Sequence, residues 1–121
     1  DLGTDIPIEE VPFVQKLVLA RCRDTNNEVI IATHLLDSMT EHPRPLMSEV
    51  GDIIQSILDG GSIMMLSRET AVGRNPIACV QMLTNIIERT EMLKKQLDNS
   101  GNAHRYDEAI KEYLRQLNYL I

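Results

Sequence analysis

Two short apolar runs constrain the fold of this chain most, because each suits a strand that is buried on both faces. The first run is residues 28–33 (EVIIAT), in which Val29, Ile30 and Ile31 are consecutive and β-branched. The second run is residues 62–67 (SIMMLS). Strands of this kind occur in parallel sheets that are covered by helices, so the two runs predict an α/β fold built from βαβ units.

Helical segments precede, separate and follow the two predicted strands. Residues 1–7 are expected to form a loop, and a helix is expected over about residues 9–22. A second helix is predicted over about residues 48–58, ended by Gly60, and a third over about residues 76–97. The apolar stripes expected to face the core in the first and third helices are Val11, Val14, Leu17 and Val18, then Ile77, Val80, Leu83, Ile86 and Ile87. The segments 37–45 and 68–75 are predicted to be loops.

The polar, glycine-broken segment 98–104 (DNSGNAH) predicts a linker between a unit at residues 1–97 and a final amphipathic helix at residues 105–121. The apolar positions of that last helix have near-heptad spacing. Two interpretations stay open for it: the helix covers an exposed flank of the α/β unit, which is the simpler reading, or it docks on another protein.

Charge and composition exclude several classes of function. The chain has 121 residues, 18 acidic and 12 basic, and a formal net charge of −6. This balance argues against broad binding to nucleic acid or to an anionic membrane. No apolar run approaches the roughly 18 residues that a membrane span needs. Cys22 and Cys79 show no metal-ligand spacing, so two buried thiols in a reducing compartment are favoured over one long-range disulfide.

Functional side chains in a parallel α/β sheet collect in the loops that follow the carboxyl ends of the strands. Three segments of this chain are expected there: residues 1–3 (DLG), residues 33–34 (TH) and residues 67–70 (SRET). Thr33 and Ser67 have a structural interpretation as well, because either hydroxyl could cap a following helix. The sequence therefore nominates these residues for a site without separating catalysis from capping.

The charged residues of the same segments also carry alternatives. Glu69 could complete a cap from the first turn of a helix. His34 could be a base, a ligand or a packed histidine, and packing is favoured because no second histidine or carboxylate lies at ligand spacing. Arg68 could bind phosphate or be a surface charge, and the surface charge is favoured.

Three motifs at these positions resemble the pyruvate kinase family in its order and spacing, from Asp1 to about Glu91. The first motif is DLG, IPIEEVP and VQK within residues 1–16, and the second is IAT, LDSM, PRP, EV and D within residues 31–52. The third is LDG, MLS, ETA, G and P within residues 58–76. The resemblance implies part of a (βα)8 TIM barrel of pyruvate kinase type, with an appended C-terminal helix that lies outside the family pattern. No match to the family's C-terminal regulatory domain is expected after about residue 92.

The resemblance also implies an activity, namely the transfer of a phosphoryl group from phosphoenolpyruvate to ADP in glycolysis, giving pyruvate and ATP with Mg²⁺ and usually K⁺. Asp1 matches a divalent-metal ligand at the substrate site, and Thr33 matches a residue beside the bound substrate. Ser67 and Glu69 match a polar network implicated in proton delivery. The implied catalytic residues are therefore Thr33, Ser67 and Glu69, the substrate-binding residues Asp1 and Thr33, and the metal ligand Asp1.

The chain departs from the family pattern at three positions. Position 34 is His where the family has Gln or Asn, position 47 is Met where it has Arg, and position 68 is Arg where it has Gly. The family's catalytic Lys, a second metal-ligand Glu, the phosphate-contacting Arg and the K⁺ ligands are expected to precede this chain. The chain also begins with Asp1 rather than Met, which suggests a processed product, an engineered piece or a segment of a longer protein.

Two hypotheses follow. In the first, the chain is a segment of a pyruvate kinase-like enzyme and is inactive by itself. In the second, it is a catalytically degenerate relative that serves as a structural or partner-binding subunit. Phosphoenolpyruvate and ADP are the expected ligands of a complete barrel. The expected protein partner is the rest of the barrel, another subunit or a second copy, and the expected compartment is the cytoplasm or an organelle stroma.

Overall fold

The computed structural model describes residues 2–100, 106–116 and 118. The helices and strands in chain order are α1 (Leu2–Asp5), α2 (Val11–Asp24), β1 (Ile30–Ala32), α3 (Met47–Leu58), β2 (Ile63–Met65), α4 (Arg68–Ala71), α5 (Pro76–Ser100) and α6 (Tyr106–Gln116). Short 3-10 turns at Ile8–Glu10 and Asp37–Thr40 join some of them. The alternation of helices and strands confirms the α/β prediction.

The two strands pair in parallel, with Ile30 opposite Ile63 and Ala32 opposite Met65. The prediction of burial on both faces is wrong for these strands, because Ile30 is 57% exposed and Met65 is 47% exposed. The helices described here cover one face only. On that face Ile31 packs against the hydrophobic core, and the opposite face of the sheet is apolar and open.

The core lies between the covered face of the sheet, α3 and α5. Its buried members are Leu35, Leu36, Met39, Ile53, Ile57, Cys79, Leu83 and Ile86. The prediction of a helix at residues 48–58 is confirmed by α3, which starts one residue earlier at Met47. It ends before Gly60, whose φ of +115° is a conformation that glycine adopts at little cost.

The predicted stripe of α2 is only partly buried. Leu17 and Val18 are 59% and 46% exposed, whereas Leu19, which the stripe omits, is 1% exposed. Polar contacts explain why α2 turns a different face towards α3 from the one its apolar stripe predicts. Gln15 Nε2 donates to Ser56 Oγ at 3.2 Å and Lys16 Nζ lies 2.6 Å from Asp59 Oδ2, so α2 docks on α3 through this side.

The stripe of α5 is also divided between the core and solvent. Leu83 and Ile86 are buried as predicted, but Ile77 is 77% exposed and Val80 is 51% exposed. The side of α5 that faces α3 and α4 instead carries Cys79, which is fully buried. The physical reason is that α5 has neighbours on one side only among the described residues.

Several predicted loops contain short helices. Residues 1–7 include α1, the segment 37–45 starts with a 3-10 turn, and the segment 68–75 starts with α4. Helix α5 continues through Ser100, three residues into the predicted linker, and residues 101–105 lie outside the described part of the chain. The division into units at residues 1–97 and 105–121 stays a prediction.

Helix α6 packs on α5, and its Ala109 is 4% exposed. Tyr113 lines an apolar cavity of about 280 Å³ together with Ile54 of α3 and Leu93 of α5. These contacts favour the covering interpretation of the last helix over docking elsewhere. Within the described residues, every helix is too short or too polar to cross a membrane.

Candidate functional site

Two of the three predicted site segments, residues 33–34 and 67–70, leave the sheet at the same edge, where the two strands end. Thr33 follows Ala32, the last residue of β1, and Ala32 is paired with Met65 at the end of β2. Ser67 then follows two residues after Met65. The structure therefore brings Thr33 and Ser67 to one edge, as predicted. Asp1, the predicted metal ligand and substrate-binding residue, lies outside the described residues.

The backbone of Thr33 and His34 is unusual, because both residues have positive φ angles, of 66° and 57°. A β-branched residue such as threonine is rarely found in this left-handed region, where its side chain crowds the backbone. The side chain of His34 is 77% exposed, so the preferred prediction of a packed histidine is wrong. The chain leaves the sheet here, and the core resumes only at Leu35.

Glu69 lies behind this edge rather than on it, with a residue exposure of 1%. Its Oε2 accepts a hydrogen bond from the backbone N–H of Ser67 at 2.9 Å, and its Oε1 accepts one from the backbone N–H of Leu36 at 3.2 Å. The carboxylate thus caps Ser67, while the Ser67 hydroxyl makes no capping hydrogen bond to α4. The structure therefore places Ser67 and Glu69 together. Of the two hydrogen bonds of the capping arrangement, it contains the one from the Ser67 backbone to Glu69 and lacks the one made by the Ser67 hydroxyl.

Asp37 joins the two departures from the family pattern that lie at this edge. Its Oδ1 is 3.8 Å from Nη1 of Arg68 and 3.9 Å from Nδ1 of His34. The Arg68 side chain is 65% exposed, in agreement with the favoured surface-charge interpretation. Arg68 is also the first residue of helix α4, so its backbone carries no left-handed strain. Sequence reasoning missed Asp37, whose partners are distant or lie on an irregular turn.

Cys79 of α5 packs against the backbone of α4. Its thiol is fully buried and lies 3.6 Å from the carbonyl oxygen of Glu69. Burial raises the pKa of the Cys79 thiol, and the neighbouring charge of Glu69 raises it further. The group therefore stays a protonated thiol at neutral pH and acts as a packing residue. Cys22 is half-buried and is likewise a free thiol.

Glu49 accepts hydrogen bonds from both ends of the loop between Ser38 and Leu46, which follows the candidate site along the chain. Its carboxylate accepts hydrogen bonds from the backbone N–H of Leu46 at 2.8 Å, from the backbone N–H of Ser38 at 2.9 Å and from the Ser38 hydroxyl. Burial alone would raise the pKa of Glu49, but these hydrogen bonds to the charged form outweigh it. The pKa of Glu49 is therefore lowered from its ordinary value of 4.5.

This lowered pKa predicts a pH-dependent contribution to stability. A depressed folded pKa means that the Glu49 carboxylate stabilises the folded chain above about pH 4.5, and that this contribution is lost as the pH falls through the folded pKa. We expect Glu49→Gln to lower the free energy of unfolding by roughly 1 kcal/mol at pH 7 and by much less near pH 3. Urea unfolding at both pH values measures the difference. Ser38→Ala, which removes one donor, should reproduce part of it, and an equal loss at both pH values would contradict the prediction.

The described residues contain no group of three or more His, Cys, Asp or Glu side chains placed to hold a metal ion. The one metal ligand predicted from the resemblance, Asp1, lies outside that part of the chain. The His, Cys, Asp and Glu side chains of the described residues therefore do not form a Mg²⁺ site by themselves.

Comparison with known proteins gives one consistent result. The family model "Pyruvate kinase, barrel domain" matches residues 1–80. The chain is 47% identical over 91 residues to the pyruvate kinase of Bacillus licheniformis, an alignment that covers 75% of the chain and 16% of that protein. The identity to the pyruvate kinase of Geobacillus stearothermophilus is 44% over 98 residues, which covers 81% of the chain and 17% of that protein.

A plant relative extends the comparison further along the chain. "Pyruvate kinase isozyme G, chloroplastic" of Nicotiana tabacum is 37% identical over 117 residues, which covers 97% of the chain and 20% of that protein. An alignment of this extent reaches well past residue 92, so the expectation that the match ends there is wrong for this relative. The chain spans about a fifth or less of the length of these three proteins.

Proposed function

Because the chain belongs to the pyruvate kinase family, we propose that it supplies part of a (βα)8 barrel that transfers a phosphoryl group from phosphoenolpyruvate to ADP. The observation that carries the proposal is the shared edge of β1 and β2, where Thr33 and Ser67 emerge together with Glu69 directly behind them. These are the three residues that the family resemblance nominates for catalysis. The parallel pairing of the strands is what brings them to one place.

The proposed chemistry assigns this edge to the proton-delivery half of the reaction. Phosphoryl transfer breaks the bond between phosphorus and the enol oxygen, forms a bond to an ADP oxygen and leaves the enolate of pyruvate. The enolate must then take a proton at carbon, which a hydroxyl or a water relay can deliver. Thr33 and Ser67 are the hydroxyls proposed for this relay, with Thr33 beside the substrate. The phosphate-binding and metal-binding halves of the site are assigned to other parts of the barrel.

Mg²⁺ belongs to the proposal only through Asp1, which would provide one carboxylate oxygen to a hard divalent cation. The K⁺ ligands are proposed to lie outside this chain. When bound, Mg²⁺ would neutralise charge on the transferred phosphoryl group. All other ligands are proposed to come from the parts of the barrel that are not in this chain. The proposed compartment is the cytoplasm or an organelle stroma, and a chloroplast form is named among the relatives.

The open face of the sheet supports a protein partner. Ile30, Ile63 and Met65 are 57%, 40% and 47% exposed, although each is an apolar strand residue. The strand pairing places all three on the same side. In a complete barrel this side faces inward and is filled by side chains of the other strands. The proposed partner is therefore the rest of the barrel, on the same chain or on another subunit or copy.

The alternative function is a catalytically degenerate relative that serves as a structural subunit. Arg68 favours it, because a long charged side chain stands at the site edge where the family has glycine, with its Nη1 3.8 Å from Oδ1 of Asp37. Met47, which replaces a family arginine, is 90% exposed. The two functions differ in one measurable way, which is whether this segment supports turnover once the rest of a barrel is supplied.

A chimera tests the proposal. Residues 1–80 of this chain would replace the matching segment of the Bacillus licheniformis enzyme, and pyruvate formation would be followed by coupling to lactate dehydrogenase. We expect turnover within about 100-fold of the parent enzyme, a barrier change of under about 3 kcal/mol. The isolated chain should show none. Arg68→Gly in the chimera is the matched variant. A folded but inactive chimera that Arg68→Gly rescues would favour the degenerate function, and sustained turnover by the isolated chain would contradict both the segment and the subunit interpretations.

A further inference from the structure

The strained pair Thr33 and His34 requires something that holds it. Each residue has a positive φ without being glycine, and such a conformation costs of the order of 1–3 kcal/mol for each residue. It persists only where the surrounding structure fixes both ends of the strained segment. One end is fixed by β1, because Ala32 is paired with Met65.

The other end is fixed by Glu69. Leu36 is fully buried in the core, and its backbone N–H donates to Oε1 of Glu69 at 3.2 Å. The second oxygen of the same carboxylate accepts the backbone N–H of Ser67 at 2.9 Å. One side chain thus bridges the segment after β1 and the segment after β2, which are 33 positions apart in the chain.

The bridge is rigid for two reasons. First, Glu69 is 1% exposed and both of its carboxylate oxygens accept hydrogen bonds, which are stronger to a carboxylate than between neutral groups. Second, α4 holds the backbone of Glu69 from below, where the thiol of Cys79 meets its carbonyl oxygen. A carboxylate that is buried and engaged at both oxygens is poorly placed to exchange protons with a ligand.

We propose that Glu69 is a positioning residue: its carboxylate fixes the backbone of Leu36 and Ser67 together, and thereby holds Thr33 and His34 in their left-handed conformation at the site edge. Its purpose in catalysis rests on the proposed function, whereas the bridge itself does not. Glu69 acts on the site through the backbone, whereas the proposed function assigns the proton relay to the hydroxyls of Thr33 and Ser67.

Nuclear magnetic resonance of the unmodified chain tests the bridge directly. Scalar couplings across hydrogen bonds should connect the side-chain carboxyl carbon of Glu69 to the amide nitrogens of both Leu36 and Ser67. Coupling to Ser67 alone, or to neither, would overturn the proposal, because Glu69 would then be no more than a local cap of α4. This measurement needs no variant and so does not depend on whether a variant folds.

Variants test the consequence for the strained pair. In Glu69→Ala, the amides of Leu36 and Ser67 should exchange with solvent at least tenfold faster, and the Cα shifts of Thr33 and His34 should leave the left-handed range. Glu49→Gln, which removes a different carboxylate charge, is the matched control and should leave the Cα shifts of Thr33 and His34 unchanged. Unchanged Thr33 and His34 shifts in a folded Glu69→Ala chain would overturn the proposal.

The pH profile of the chimera separates positioning from proton donation. Glu69→Gln should lower kcat, because the amide keeps one acceptor oxygen and loses the other. The shape of the pH profile should be kept, because a positioning residue does not itself donate the proton. Loss of one limb of the profile would overturn the positioning role in favour of a proton donor. If the chimera does not turn over at all, the proposed function fails, and the couplings in the isolated chain still decide whether the bridge exists.

Discussion

Replacing Gly73 by alanine should destabilise the chain by roughly 2–4 kcal/mol, which is the range of severe steric and backbone effects. A Cβ atom at Gly73 would lie 2.2 Å from the backbone carbonyl oxygen of Glu69 and 2.9 Å from its carbonyl carbon. Both atoms belong to the backbone of α4, so no side chain can turn away to make room. The turn after α4 would have to open, and the backbone of Glu69 would move with it.

Gly51→Ala is the matched control for this prediction. Gly51 lies in the middle of α3, and a Cβ atom there would have no neighbour within 4 Å. Alanine is favoured over glycine in helices, so Gly51→Ala should stabilise the chain by roughly 0.5–1 kcal/mol. Urea unfolding followed by circular dichroism measures both variants. The opposite signs are the expected result, and a neutral Gly73→Ala would show that α4 does not pack as closely as described.

Truncating Ile53 to alanine should cost about 2–5 kcal/mol, whereas the same truncation at Ile77 should change stability by less than about 0.5 kcal/mol. Ile53 is fully buried in α3, and its removal leaves a cavity in the core. Ile77 is 77% exposed at the start of α5. The two variants remove the same atoms, so the difference between them reports mainly how deeply each side chain is buried.

This pair of variants tests whether Ile77 is buried, as the helical spacing predicts, or exposed, as the structure shows. The helical spacing of α5 predicts Ile77 in the core, while the structure places it in solvent and buries Cys79 instead. Thermal unfolding of Ile53→Ala and Ile77→Ala measures the difference. Equal losses would mean that α5 presents its predicted stripe to the core, and the arrangement described here would then be wrong.

The success for α3 and the failure for α2 have a common physical explanation. In α3 the apolar residues Ile53 and Ile57 lie on one face, the following Gly60 ends the helix, and the sheet and α5 cover that face. In α2 the apolar residues are spread over several faces, and the polar contacts Gln15–Ser56 and Lys16–Asp59 decide which face docks. Spacing reveals that a helix is amphipathic, but the choice among faces depends on the neighbour.

Part of the candidate site could also be predicted from the sequence, and part of it depended on the fold. The position of Thr33 and Ser67 at one edge follows from reading two parallel strands, and their nomination follows from the family resemblance. The burial of Glu69 and its hydrogen bond to Leu36 were outside the reach of the sequence, because the two partners are 33 positions apart. The same holds for Asp37, which meets Arg68 only after the chain has folded.

The sequence by itself determined the α/β alternation, the bounds of α3, the parallel strands and the pyruvate kinase resemblance, because spacing, turn residues and motif order are local properties. Tertiary structure alone decided which helix faces are buried, the left-handed backbone of Thr33 and His34, and the two amides held by Glu69. These features depend on contacts between distant segments. A buried carboxylate can offset backbone strain only when the fold has brought both of its partners within hydrogen-bond distance.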